Sequence, residues 1–274
     1  MKKNITIFVA ACLCAVGALQ ACQRQPRLII LHTNDTHSHL DPIRGGVADG
    51  KGGVIERAAF IDSVRAAEGA DRVLLLDAGD FSQGTSYFTE LEGAIEPRLL
   101  NDLGYDVVEL GNHEFDNDLE ALTERLKMLD GPVVVCANID FSSFELGKYV
   151  QPYAIVERGG MKVGIIGLDA TLQTNVVRTV VDRIQQLDNV EVVSKWSKVL
   201  HEDEHCDLVI LLSHLGYDED QALVPLISGI DLVIGGHSHT FVDDMIYVAD
   251  AEGKQIPIVT DGCWGEQVGK VSVW

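Results

Sequence analysis

Carboxylate, imidazole and carboxamide side chains recur in this sequence where apolar, strand-like runs end. Leu28–His32 runs into Asn34-Asp35-Thr36-His37, Val73–Leu76 into Asp77-Ala78-Gly79-Asp80, and Asp106–Leu110 into Gly111-Asn112-His113-Glu114-Phe115-Asp116. Leu208–Leu212 runs into Ser213-His214, and Asp231–Ile234 into Gly235-Gly236-His237-Ser238-His239. No cysteine joins these groups, so the set suits borderline or hard divalent ions such as zinc, manganese or iron rather than a soft thiolate site. A carboxylate has two oxygens with several lone pairs, so Asp80 is able to bridge two ions. The neighbouring glycines fit loops that bring backbone close to a metal and a substrate. One histidine after a strand is usually a hydrogen-bonded core residue; five strand ends agreeing in residue type are not explained that way.

The elements that must position these groups are legible as alternation. Val133–Ala137 and Val163–Ile166 add two more short runs rich in Val and Ile, bounded by Gly, Asp or Asn. Helices are expected at Val54–Ala67, at Asp118–Leu129 and within Gln185–His205; the second keeps Leu119, Leu122, Leu126 and Leu129 on one face and stops at Asp130-Gly131. Strands alternating with helices argue for an α/β fold, and ligands in an open α/β sheet bind beyond the carboxyl ends of its strands. All five loops therefore have one place to converge. Met245–Val248, Pro257–Thr260 and Val268–Val273 read as an antiparallel closing segment. With no internal repeat or long linker, residues 28–274 read as one domain.

Composition narrows the class further. Lys2 and Lys3 precede an apolar run from Ile5 to Leu19, too short for a comfortable membrane span and suited to a secretory signal. It ends in Leu19-Gln20-Ala21-Cys22, which resembles a bacterial lipobox, so residues 1–21 are expected to be cleaved and Cys22 lipidated. Residues 22–27 then form a short tether. The remaining 19 basic and 42 acidic residues leave a net charge of −23, which argues against a basic groove for nucleic-acid polymers. It does not oppose a small phosphate ester, because two bound cations would dominate the local field. Cys136, Cys206 and Cys263 form no CxxC pair, and Cys136 and Cys206 read as buried thiols.

Asn34-Asp35-x-His37, Gly79-Asp80, Gly111-Asn112-His113-Glu114, Ser213-His214 and Gly236-His237-Ser238-His239 resemble the five blocks of the calcineurin-like metallophosphoesterases, in order and spacing. Leu31–Asp35, Gly111–Asn117 and Gly235–Thr240 are similar to the 5'-nucleotidase branch. The resemblance implies an α/β/β/α sandwich with a dinuclear metal site at the carboxyl ends of the strands. It implies one ion held by Asp35, His37, Asp80 and His239, and a second by Asp80, Asn112, His214 and His237. It also implies in-line attack on phosphorus by a metal-bound water or hydroxide without a phosphoenzyme. His113 then matches the catalytic histidine, and Asp116 the carboxylate that orients it. Asp77 and Glu114 are expected to stabilise loops, and His32 and His39 to have structural or supporting roles. His201 and His205 are expected to be solvated at a helix end, and Lys51-Gly52-Gly53 to be a helix entry.

The implied activity is 5'-nucleotidase-like hydrolysis of a nucleotide to nucleoside and phosphate. Two alternatives stand beside it: a broad-specificity phosphoesterase acting on 2',3'-cyclic nucleotides or nucleotide-sugar diphosphates, and a non-enzymatic metal- or partner-binding envelope lipoprotein. The family's usual C-terminal base-recognition domain has no counterpart in these residues; a separate chain that supplies it is one expectation, and a stand-alone hydrolase that works without it is the other. Gln23-Arg24 after Cys22 gives no inner-membrane retention signal, so a lipid anchor in the outer membrane, facing the periplasm, is the expected location.

Overall fold

The computed structural model describes residues 25–274, and the expected signal and the lipidation site Cys22 lie outside the described residues. Among the described residues there are fourteen strands: β1 (Leu28–Thr33), β2 (Val73–Asp77), β3 (Val107–Glu109), β4 (Val133–Val135), β5 (Ile139–Asp140), β6 (Val150–Gln151), β7 (Tyr153–Arg158), β8 (Met161–Leu168), β9 (Gln185–Gln186), β10 (Leu208–Ser213), β11 (Leu232–Gly235), β12 (Ile246–Ala249), β13 (Gln255–Val259) and β14 (Gly269–Val273). One six-stranded sheet has the order β14-β1-β2-β3-β4-β6 and the other β12-β13-β11-β10-β8-β7, while β5 pairs with β9 apart from both. The interior of each sheet is parallel; β14, β12 and β7 are antiparallel edges.

Side-chain alternation along the strands generates the layers. Leu28 and Ile30 of β1 and Leu74 and Leu76 of β2 face Val163 and Ile165 of β8 and Ile210 and Leu212 of β10 in the core between the sheets. Ile29, Leu31 and Leu75 turn the other way, onto Ile61 of the helix Val54–Glu68, Leu100 of Glu96–Leu103 and Leu122 of Asp118–Leu126. Across the molecule, Val209, Leu211 and Val233 pack on Val193 of the helix Asn189–Lys198 and Leu223 of Tyr217–Leu223. The result is the expected α/β/β/α sandwich. Strands covered on both faces read as continuous apolar runs, each buried Leu or Ile contributing about 1.5–3 kcal/mol.

The closing segment differs from the expectation. β12 and β13 do pair antiparallel, but β13 lies parallel to β11, and β14 leaves for the other sheet to pair with β1, Leu28 opposite Val273. The outer edge of β1 would otherwise expose a row of unpaired N–H and C=O groups, and β14 covers it. Strand β7 was not anticipated because its burial is mixed and its alternation weak.

Candidate active site

Five loops leave the carboxyl ends of β1, β2, β3, β10 and β11, and the two facing sheets point them to one spot. Asp35 (φ 50°), His37 (φ 47°), Asp80 (φ 53°), His237 (φ 70°) and His239 (φ 53°) all sit in the left-handed region of backbone space. Residues with a Cβ enter that region at a cost of about 1 kcal/mol or more each, so the surrounding loops must hold them there. Backbone bonds do so: Asp35 N donates to Gly79 O (2.9 Å), His37 N to Asp80 O (2.9 Å) and His214 N to Leu168 O (2.6 Å). Glu114, fully buried, accepts from the N–H groups of Asp80 (2.9 Å), Ser82 (3.0 Å) and Gly111 (2.7 Å), clamping two loops together. Asp77 accepts from Thr33 Oγ1 and Gly79 N. Both acids stabilise loops, as the sequence leads one to expect.

The loops assemble two groups of donors. Asp35, His37 and His239 form one, and Asp80, His214 and His237 the other; within each group the ligand atoms lie within 4.8 Å of one another. The groups touch: His37 Nε2 is 3.7 Å from Asp35 Oδ1 and 3.8 Å from Asp80 Oδ2, and His214 Nε2 is 3.0 Å from Asp80 Oδ2 and 4.0 Å from Asp35 Oδ1. His37 Nε2 and His239 Nε2 approach to 2.9 Å. Outer bonds fix which atoms point inward. His214 Nδ1 donates to Ala78 O (2.6 Å), turning Nε2 toward Asp80 Oδ2. Asp35 Oδ2 accepts from Asn34 Nδ2 (2.7 Å) and His237 N (2.8 Å), turning Oδ1 toward His239 Nε2 (3.3 Å).

Whether a cation belongs here is decided by what lacks a partner. Asn112 Oδ1 is buried with no hydrogen-bond partner, and Asp35 Oδ1 and His214 Nε2 are buried with none outside the donor groups, facing His239 Nε2 at 3.3 Å and Asp80 Oδ2 at 3.0 Å. Buried polar atoms left unpaired cost about 1–3 kcal/mol each, and these three belong to the expected ligand set. Titration points the same way. Burial favours a neutral His214, yet the Asp80 carboxylate overrides it and holds the imidazole well above its ordinary range. The Asp35 carboxylate, with the Cys263 thiol, raises His239 to about 10. Both carboxylates thus favour a positively charged neighbour, while burial pushes His37 and His237 toward the neutral form. The carboxylate, imidazole and carboxamide donors fit two divalent ions.

His113 lies beside this cradle, its ring centroid 5.4 Å from that of His37. Its Nδ1 meets Asp116 Oδ2 at 2.8 Å, and its backbone N–H donates to Asp80 Oδ1 at 2.9 Å. The bond to Asp116 raises the imidazole above its ordinary value against partial burial. All nine residues from Asp35 to His239 that the sequence nominates therefore gather at one place. His32 instead pairs with Asp261 (2.7 Å) on β1, and His39 stacks on Trp264. His201 and His205 are exposed, and Gly53 caps the helix Val54–Glu68. Cys136, Cys206 and Cys263 are buried free thiols. Asn34 has a role that the sequence did not reveal: besides orienting Asp35, it donates to Gly262 O (2.7 Å) and accepts from Asp261 N (2.9 Å). Its partners lie more than two hundred residues away, so no local signal exists.

Comparison with known proteins agrees with this geometry. The family model for calcineurin-like phosphoesterases matches residues 28–241. The snake venom 5'-nucleotidase of Gloydius brevicauda is 34% identical over 287 residues, covering 97% of this chain and 47% of that protein. The trifunctional nucleotide phosphoesterase protein YfkN of Bacillus subtilis is 31% identical over 90% of this chain and 18% of its own length. Among solved structures, the 5'-nucleotidase precursor from Thermus thermophilus superposes with a TM-score of 0.80 at 36% identity, covering 89% of this chain and 50% of that one. The chain thus spans about half the length of the 5'-nucleotidases it matches. With the five motif blocks, the sandwich and the paired donor groups all in place, the chain belongs to the calcineurin-like phosphoesterase family.

Proposed function

We propose that this protein hydrolyses nucleotides to nucleoside and phosphate at the paired donor groups, with two divalent ions. The observation that carries this reading is the convergence of two three-residue groups, in contact through Asp35 and Asp80, with the His113–Asp116 pair at their edge. Asp35, His37, Asp80 and His239 would hold one ion, and Asp80, Asn112, His214 and His237 the other. Bound there, the ions supply Lewis acidity and offset the negative charge that builds on the phosphoryl oxygens. The chain's own residues do the rest. Asp116 fixes the His113 ring and favours its protonated form, from which its other nitrogen, Nε2, hands a proton to the leaving oxygen as the phosphorus–oxygen bond breaks. The His113 backbone N–H, bonded to Asp80 Oδ1, ties that histidine to a residue shared by both cradles.

A broader range of nucleotide esters is the second reading, favoured by the 31% identity to a relative named as a trifunctional nucleotide phosphoesterase. The envelope setting belongs to the same proposal: cleavage after residue 21, lipidation of Cys22, and an anchor in the outer membrane facing the periplasm. Among the described residues, no helix is long and apolar enough to cross a membrane. The test is hydrolysis of AMP, a 2',3'-cyclic nucleotide, a UDP-sugar and p-nitrophenyl phosphate, with Mn²⁺ or Zn²⁺ and with chelator. Metal-dependent turnover that falls by about 10²–10⁴ in His113→Ala supports the phosphoesterase. Two bound ions without turnover on any of the four would sink it. Metabolic labelling with radioactive palmitate, abolished in Cys22→Ala, tests the anchor.

A further inference from the structure

We propose that the stacked rings of Trp264 and His39 form a platform beside the metal cradle that receives the planar ring of the ester's organic group. The inference rests on the phosphoesterase reading and deepens it, by giving the chain its own preference for esters carrying a heteroaromatic ring.

The rings lie 5.1 Å apart, centroid to centroid, at an interplanar angle of 21°. Both are tied to the first donor group through backbone. Trp264 N donates to Asp35 O at 2.6 Å, and His39 Nδ1 meets His37 O at 2.9 Å. The backbone that carries Trp264 and the ring of His39 are thus both held against donor residues. Trp264 is nevertheless 37% exposed, and its backbone is left-handed at φ 60°. A bulky residue held in that conformation is an outlier that the surrounding structure must impose, and such outliers gather at ligand sites.

The turn beneath Trp264 is built to hold it. Phe241, two residues after His239, bridges Asp261 in antiparallel fashion, and Gly262 N donates to Thr240 O at 2.9 Å. The Phe241 ring lies flat on Gly262, where a Cβ would meet ring atoms at 2.1–2.4 Å. Phe241 is itself 43% exposed. Two exposed aromatic residues thus share one turn, each connected to a residue of the Asp35–His37–His239 group. The aromatic surface these residues leave in water forgoes burial that a stacking ligand ring recovers. Every nucleobase presents such a face, and stacking does not depend on which base it is.

The experiment compares AMP with glycerol 3-phosphate, which has no ring, using the Mn²⁺-loaded full chain. Trp264→Leu keeps apolar bulk and removes the aromatic face; Trp264→Phe restores a ring. Base stacking of ordinary strength predicts that KM for AMP rises about 10-fold in Trp264→Leu and recovers in Trp264→Phe, while KM for glycerol 3-phosphate changes by less than about 2-fold. Equal changes for both esters, or none for either, overturn the platform and leave the phosphoesterase reading intact. If the parent chain hydrolyses neither ester, that reading fails first, and quenching of tryptophan emission by adenosine then judges the platform. Quenching in the parent that is lost in Trp264→Leu supports it; equal quenching in both, or none in the parent, overturns it.

Discussion

Replacing Gly111 by alanine should cripple the site while leaving the fold in place. Gly111 sits at φ −110° and ψ 175°, extended backbone that alanine adopts without strain, so any effect must come from the added methyl group. That carbon would stand 2.3 Å from Asp80 Oδ1 and 2.4 Å from Asp80 N, where ordinary contact begins near 3.4 Å. Asp80 cannot yield freely, because its N–H is held by Glu114 and its Oδ1 by His113 N. Something must move by about 1 Å, and Asp80 faces both donor groups through Oδ2. A misplacement of that size costs on the order of 100-fold in rate, and the crowding about 1–3 kcal/mol in stability. The assay is kcat/KM for p-nitrophenyl phosphate at saturating Mn²⁺, with calorimetric titration of the metal and thermal unfolding in chelator. A Gly111→Ala protein that binds two ions with parental affinity and keeps kcat/KM within about threefold would refute the idea that Asp80 must be held to sub-ångström precision.

Three further outcomes are expected. Asp116→Asn removes the carboxylate that raises the His113 imidazole, so the alkaline limb of the pH–rate profile moves to lower pH; an unmoved limb would dissociate His113 from that limb. Metal should stabilise the fold: at about 100 times Kd each site adds roughly 2.7 kcal/mol, and at about 2–4 °C per kcal/mol two sites shift Tm by roughly 11–22 °C, to be read by calorimetry with and without chelator. Asp220, fully buried beneath Ser213, has its carboxyl pushed by burial from 3.8 to about 7. Its contribution is therefore fully present below pH 3.8 and is lost as pH rises through about 7, a swing on the order of 4 kcal/mol. Asp220→Asn should be more stable than the parent at pH 8, with an advantage that vanishes near pH 4; parallel stability curves would exclude the effect.

The donor loops and closing strands show how far local pattern reaches. The runs Leu28–His32, Val73–Leu76 and Leu208–Leu212 were legible because parallel strands buried on both faces are apolar throughout, and their loops were legible because each block of Asp, Asn and His follows such a run directly. The sequence by itself therefore determined the α/β class, the five loops and the chemical type of their donors. Tertiary structure decided what has no local signature. It divided the donors into two groups, because only the facing of two sheets brings the β10 and β11 loops against those of β1 and β2. It sent β14 to cover the edge of β1, since hydrogen-bond satisfaction is settled between strands far apart in the chain. It also joined Asn34 to Asp261 and Gly262, and His39 to Trp264, contacts across more than two hundred residues that periodicity along the chain does not encode.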